Sequence, residues 1–216
     1  MVRSPSGHRF VMGNVDPAGQ GRSPWQALDE LGMNAMKFCL ACLLCLLLAP
    51  AWALDLRDGD VLLYRHALAP GVGDPSGFKL GDCSTQRNLN DAGRKQAQHL
   101  GQTLRHRLGR LHVAAVWASP WCRTLETARL AFPGLPVQEQ AAFGSFVSQP
   151  EREAEQLREA TALLSAWRRP GVLVVVTHQV TITALSEVYP ASGEGVALRW
   201  VDGRAVVLGR LPTPAQ

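Results

Sequence analysis

The sequence predicts a single α/β domain, a mostly parallel sheet layered between helices, and three observations carry that prediction. Short β-rich runs alternate with segments of helical period, the pattern of strands joined by crossover helices. One run, Val172 to Val176, is apolar without interruption, as a strand covered on both faces must be. The composition, 46% hydrophobic and 19% charged over 216 residues, is enough for one domain with a sizeable core.

The elements follow in order. Val61-Leu62-Leu63-Tyr64 reads as the first strand, Val113 to Ala118 as the second and Val172 to Val176 as the third. Between the first two, Asn90 is placed to cap a helix whose Ala92, Ala97, Leu100, Leu104, Leu108 and Leu111 recur at helical spacing. Thr124 to Phe132 reads as a short helix stopped by Pro133-Gly134. Pro150 opens another, with Ala154, Leu157, Thr161, Leu164 and Trp167 on one face, ending before Pro170-Gly171. Ile182 to Tyr189 makes a last short helix. The tail, Val196 to Trp200 and Ala205 to Leu208, reads as a hairpin around Asp202-Gly203.

The N-terminal quarter has a different character. Lys37 precedes an apolar run, Phe38 to Leu48, followed by Pro50 and Ala51-Trp52-Ala53. A basic start, a short hydrophobic stretch and an A-x-A site describe a secretory signal peptide, residues 36–53. Residues 1–35 are rich in Gly, Pro and Ser and show no apolar period, so they read as an upstream extension, with Met36 the expected start. The alternative is a membrane anchor with a disordered tail, but the uncharged stretch from Phe38 to Leu54 is only 17 residues, barely a bilayer span. The expected product is residues 54–216, periplasmic or secreted, without stable membrane insertion after signal removal. Cys39, Cys42 and Cys45 would leave with the signal, and Cys83 and Cys122 would remain as an even pair in an oxidising compartment.

The net charge is +4, and three of the arginines behind it precede residue 35. With no Lys/Arg run and no interleaved aromatics, nucleic-acid binding is not expected, whereas a small anionic substrate suits the balance. The sequence has no Cys/His/Asp grouping at zinc spacing and no Gly-rich strand-to-helix loop for a nucleotide, so neither metal nor cofactor is expected.

The chemistry concentrates at strand ends. Strand one runs into Arg65-His66, strand two into Ser119-Pro120-Trp121-Cys122-Arg123, and strand three into Thr177-His178. In open α/β sheets, ligands bind beyond the carboxyl ends of the strands, so two histidines and two arginines would converge there. That set suits phosphoryl transfer. Guanidinium groups match phosphoryl oxygens with fixed, paired donors. Imidazole is a nucleophile near neutral pH, and a second histidine can stabilise the charge that develops on the transferring oxygens. His66 is therefore the candidate nucleophile, with Arg65, Arg123 and His178 around it. His8, His99, His106 and His112 lack such placement, and His99 and His106 sit in an Arg/Gln-rich helix and should be solvated.

These motifs resemble those of the histidine phosphatase superfamily, with its phosphoglycerate-mutase-like fold. Arg65-His66-Ala67 is similar to the Arg-His-Gly signature, with alanine in place of the usual glycine. Asn88-Leu89-Asn90-Asp91-Ala92-Gly93-Arg94-Lys95-Gln96-Ala97 resembles the family's L-(S/T)-x-x-G-x-x-Q-A helix opening. Ser119 to Ala128 resembles its S-x-x-x-R-x-x-x-T-A, whose arginine contacts phosphate, and Thr177-His178 its second histidine motif. The order and spacing match from about residue 60 to 190. Asp82 to Leu89 and Pro190 to Gly195 look like a bacterial exported subgroup. The resemblance implies a phosphomonoester or phosphohistidine hydrolase that works through a phosphohistidine on His66, with a small phosphorylated molecule or a phosphoprotein as its partner.

The leaving-group acid departs from the family pattern. Many members carry a Glu four residues before the glycine of a Phe-Gly-like pair, and counting back from Gly144 gives Gln140, with Glu139 its neighbour. Glu194 and Asp82 are the other candidates, and Glu194 is also a candidate substrate contact. Without an acid, good leaving groups such as phosphohistidine or acyl phosphates would be favoured. The competing reading is a degenerate, non-catalytic module that holds a phosphorylated ligand or a protein partner. A mutase would need a priming bisphosphate that an exported protein would rarely meet. Cysteine-dependent phosphatase chemistry is excluded because neither Cys83 nor Cys122 begins a Cys-x5-Arg motif. The loops that carry those two cysteines should share the carboxyl-end face of the sheet, which predicts a Cys83–Cys122 disulfide.

Overall fold

The computed structural model describes residues 54–213. The signal peptide and the upstream extension expected from the sequence lie outside the described residues. Six strands form one sheet: β1 Val61–Arg65, β2 Val113–Ala118, β3 Val137–Glu139, β4 Val172–Thr177, β5 Gly195–Val201 and β6 Arg204–Leu211. Among the described residues, four α-helices accompany them: α1 Asp91–Leu108, α2 Cys122–Ala131, α3 Glu153–Ser165 and α4 Gln179–Ser186. Among the described residues, no helix is long and apolar enough to cross a membrane.

The sheet order is β3-β2-β4-β1-β5-β6, with β1 to β4 parallel and the β5–β6 hairpin antiparallel at one edge. β4 therefore lies between β1 and β2, and is buried along its whole length. Alternate side chains serve two cores. Leu62, Tyr64, Val116, Val174 and Val176 pack against Leu100, Leu104 and Leu108 of α1 and Leu125 and Ala128 of α2. Leu63, Trp117, Leu173 and Val175 face the other way, onto Ala160 and Leu164 of α3 and Ile182 of α4. Both faces are covered, which is the α/β/α layering the sequence predicts.

Local chemistry explains the element ends. Asn90 caps α1 by accepting from the Gly93 N–H at 2.8 Å, as its sequence position suggests. Gly101, midway along α1, is required by a close approach: a Cβ there would stand 1.7 Å from the Ala131 carbonyl oxygen at the end of α2. The β5–β6 turn uses Asp202 and Gly203, both at positive φ, the backbone that a two-residue hairpin needs.

Two expectations need correction, and one strand went unread. α3 is rotated: it buries Gln156, Ala160 and Leu164, while Ala154 and Thr161 are exposed. Gln156 faces inward because its amide donates to the Gly144 carbonyl at 2.6 Å, a polar anchor that an apolar period does not register. The last helix runs over Gln179–Ser186, three residues earlier than expected, because Glu187 adopts a left-handed conformation (φ 60°) and closes it. β3 is a three-residue edge strand that carries no alternation long enough to read.

Candidate active site

Because β4 sits between β1 and β2, the carboxyl ends of three adjacent parallel strands open onto one place. β1 delivers Arg65 and His66, β2 delivers Ser119 and the turn into α2, and β4 delivers Thr177 and His178. The backbone links them as well, with His66 N–H donating to the Thr177 carbonyl and Ser119 N–H to the Val176 carbonyl. Both α2 and α4 start there, so two helix N-termini add partial positive charge. The result is a pocket of about 600 Å³ lined by Arg65, His66, Arg87, Arg123 and His178, among others.

The His66 and His178 rings lie 5.7 Å apart, centroid to centroid. His66 is 2% exposed, and its Nδ1 lies 2.7 Å from the Ala67 carbonyl oxygen. A carbonyl only accepts, so the proton sits on Nδ1 and the Nε2 lone pair is left to attack. Burial first, and then the Arg123 charge, pull the His66 pKa down to about 3, which keeps the ring neutral and nucleophilic at neutral pH. The alanine after it is tolerated because its φ is negative, and its N–H donates to the Thr127 hydroxyl at 3.0 Å.

His178 is held in a defined tautomer. Its Nε2 is 2.8 Å from the Ser119 hydroxyl, which lies 2.8 Å from that of Thr124, which in turn donates to the Trp121 carbonyl. Its Nδ1 lies 3.4 Å from Arg123 Nη2. A guanidinium only donates, so Nδ1 accepts and the proton sits on Nε2. Burial, followed by the Arg123 charge, holds this histidine well below its ordinary pKa. The edge of Trp121, at 4.9 Å between centroids, closes one side.

Arg123 is 3% exposed and bonded to Asp74 at 2.7 Å and 3.1 Å, one carboxylate oxygen to each Nη. Asp74 also accepts from the Trp121 indole and the Arg87 N–H, both at 3.1 Å. Burial raises the Asp74 pKa, but Arg123 and these two donors outweigh it, leaving the carboxyl below its ordinary value. Arg65 is half-buried, with Nη1 donating to the Pro190 carbonyl at 3.0 Å. Arg87 is held by the carbonyls of Gly73 and Ala69.

The structure thus brings Arg65, His66, Arg123 and His178 together, and leaves the acid candidates outside. Glu194 is turned away: its carboxylate grips Arg210 at 2.6 Å and 2.8 Å and accepts from the Ala191 N–H. It does not line the pocket, and these bonds hold it below its ordinary pKa, with Arg210 the main cause. Asp82 is exposed and caps the Cys83–Thr85 turn by accepting from the Ser84 N–H. Glu139 is exposed at the end of edge strand β3, and Gln140 beside it uses its N–H on the Ala118 carbonyl. None of these lines the pocket.

Sequence reasoning missed Asp74 and gave Arg87 no role. Asp74 lies in a Gly/Pro-rich loop without periodicity, and its only signal is its place in the first strand-end loop, eight residues after His66. The predicted disulfide is present, with a Cα–Cα distance of 5.6 Å, and ties the Arg87 loop to the residue before Arg123.

Known proteins share this fold. The α-ribazole phosphatase from Shigella flexneri superposes with a TM-score of 0.52 at 16% identity, covering 72% of this chain and 96% of its own. Mycobacterial hydrolase 2 gives 0.53 at 17% identity, covering 74% and 94%. These likenesses are of fold. No curated protein sequence matches the chain. Residues 61–168, half of the chain, match the sequence profile of the histidine phosphatase superfamily (branch 1), and the chain belongs to that family.

Proposed function

We propose that the protein hydrolyses phosphomonoesters, or phosphohistidine, through a covalent phosphohistidine on His66. The observation that supports this best is the pairing of two neutral, buried histidines, 5.7 Å apart, with the Arg123 guanidinium at the end of three parallel strands. His66 Nε2 attacks phosphorus while Arg65 and Arg123 take the charge on the phosphoryl oxygens. A dianion brought against His178 favours its protonated form, whose Nδ1–H then donates to a phosphoryl oxygen. Water hydrolyses the phosphohistidine in a second step.

The pocket is much larger than a phosphoryl group, and its rim includes Val72, Phe78, Val147 and Tyr189, which suits a substrate with a sizeable, partly apolar leaving group. The Cys83–Cys122 disulfide supports placing the protein in an oxidising compartment, periplasmic or secreted, as the signal-like N-terminus suggests. The test uses aryl phosphate turnover and rapid quench with 32P-labelled substrate. Wild type should carry acid-labile label on His66, and His66→Ala should carry none and turn nothing over. Phosphate binding without turnover would instead establish the non-catalytic module.

A further inference from the structure

Resting on the phosphohydrolase reading, we propose that Asp74 is the proton donor to the leaving oxygen, freed from Arg123 when a phosphoryl group takes its place. Among the described residues, Asp74 is the only carboxylate that lines the pocket. Its carboxylate engages Arg123 as a phosphoryl group would, one oxygen on each Nη. Substrate and Asp74 therefore compete for the same fork of donors, and a phosphoryl group that wins it lands directly against the carboxylate.

That displacement changes the protonation of Asp74. Arg123 is the largest of the interactions that outweigh its desolvation. Once the fork is shared with a dianion, the offsetting charge is gone and a like charge has arrived, and both effects favour the protonated acid. The Trp121 indole and the Arg87 N–H still hold the group at the pocket wall. Gly73, just before it, has φ +70° and open space where a Cβ would stand, so the loop can adjust without a side chain in the way.

The step balances. His66 Nε2 forms the bond to phosphorus as the bond to the leaving oxygen breaks, and the Asp74 proton passes to that oxygen, giving an alcohol, an Asp74 carboxylate and phosphohistidine. Water then attacks phosphorus, its proton returns to Asp74, the P–N electron pair returns to His66, and inorganic phosphate leaves.

The test compares wild type, Asp74→Asn and Asp74→Ala on phenyl phosphate and on 2,4-dinitrophenyl phosphate, whose leaving group needs no proton. On phenyl phosphate, whose phenol has a pKa of about 10, kcat should fall by about a hundredfold or more. On the dinitrophenyl ester the loss should be about tenfold or less. The alkaline limb of the kcat–pH profile on phenyl phosphate should disappear in Asp74→Asn, which retains an oxygen for Arg123 and guards against misfolding. Equal losses on both esters would assign Asp74 to positioning Arg123 and overturn the proposal, as would no loss on either. If wild type cleaves the dinitrophenyl ester and His66→Ala does not, the phosphohydrolase reading stands whatever Asp74 does. A wild type inactive on both esters overturns the two together.

Discussion

The Ser119 hydroxyl lies 2.8 Å from His178 Nε2 and so selects which nitrogen of that ring faces the pocket. The two residues are 59 positions apart, but they end neighbouring strands β2 and β4. Ser119→Ala removes the acceptor that fixes the tautomer. It should lower kcat by about tenfold or more, by analogy with triads that lose the partner orienting their histidine. The orphaned Nε2 should also cost about 1–3 kcal/mol of stability. Steady-state kinetics with denaturant unfolding checks both, and an unchanged kcat would show that His178 needs no such partner.

Arg123→Ala should lower kcat/KM by about two to three orders of magnitude, the loss of a charge-stabilising donor. It also strands the Asp74 carboxylate, whose side chain is 9% exposed, so stability should fall with activity. Arg123→Lys should rescue stability better than rate, because an ammonium supplies charge without the two-pronged geometry. Equal rescue of both would mean that charge alone matters here.

How much of this was legible in the sequence varies with the kind of signal. β4 was readable because a strand buried on both faces leaves an unbroken apolar run, and α1 because Asn90 caps a clear period. Arg65, His66, Arg123 and His178 were readable because each follows a strand and belongs to a motif of fixed spacing. Asp74 was not, since its meaning comes wholly from Arg123, 49 residues away, through an ion pair with no local pattern. The orientation of Glu194 was hidden for the same reason: its partner Arg210 lies on β6 and draws the carboxylate from the pocket. The inward face of α3 depended on Gln156, whose burial follows from one carbonyl across the core.

The buried histidines fix the sign of the pH dependence. His66, with a folded pKa pulled down to about 3 by burial and Arg123, takes up its proton more readily when unfolded, near pH 6.5. Below pH 6.5 the unfolded state therefore binds more protons, and stability falls as pH drops toward the folded pKa. His178 is shifted in the same direction. His66 should cost up to about 1 kcal/mol per pH unit across that window, and His178 adds a loss of the same sign. Denaturant unfolding at pH 7, 6, 5 and 4 should show a steady loss that is shallower in His66→Ala. A stability that rises on acidification to pH 5 would contradict the assignment.

Packing can be tested apart from chemistry at Gly101. A methyl there would meet the Ala131 carbonyl, so α1 and α2 would have to separate. Gly101→Ala should destabilise the protein by about 1–3 kcal/mol, the usual range for overpacking, although alanine is the better helix former. Unfolding midpoints check this, and a stabilised variant would show that the two helices approach less closely.

The disulfide ends beside the phosphate-facing arginine, because Cys122 immediately precedes Arg123. Cys83 and Cys122 enclose a loop with a sequence separation of 39, and the chain-entropy relation gives about 4 kcal/mol for that length. The cysteines are not the only tie, however. Gln86 accepts from the Cys122 N–H at 3.0 Å and donates to the Lys79 carbonyl at 2.8 Å, so the same loop is pinned to the start of α2 by hydrogen bonds. The linkage should therefore matter more for stability than for the shape of the pocket. The Cys83→Ser, Cys122→Ser double variant should unfold about 10 °C lower, yet keep kcat close to wild type at temperatures where it is folded. Non-reduced wild type should show neither of these two thiols in titration. A folded double variant with a collapsed kcat would mean that the covalent link, rather than Gln86, holds Arg123 in place.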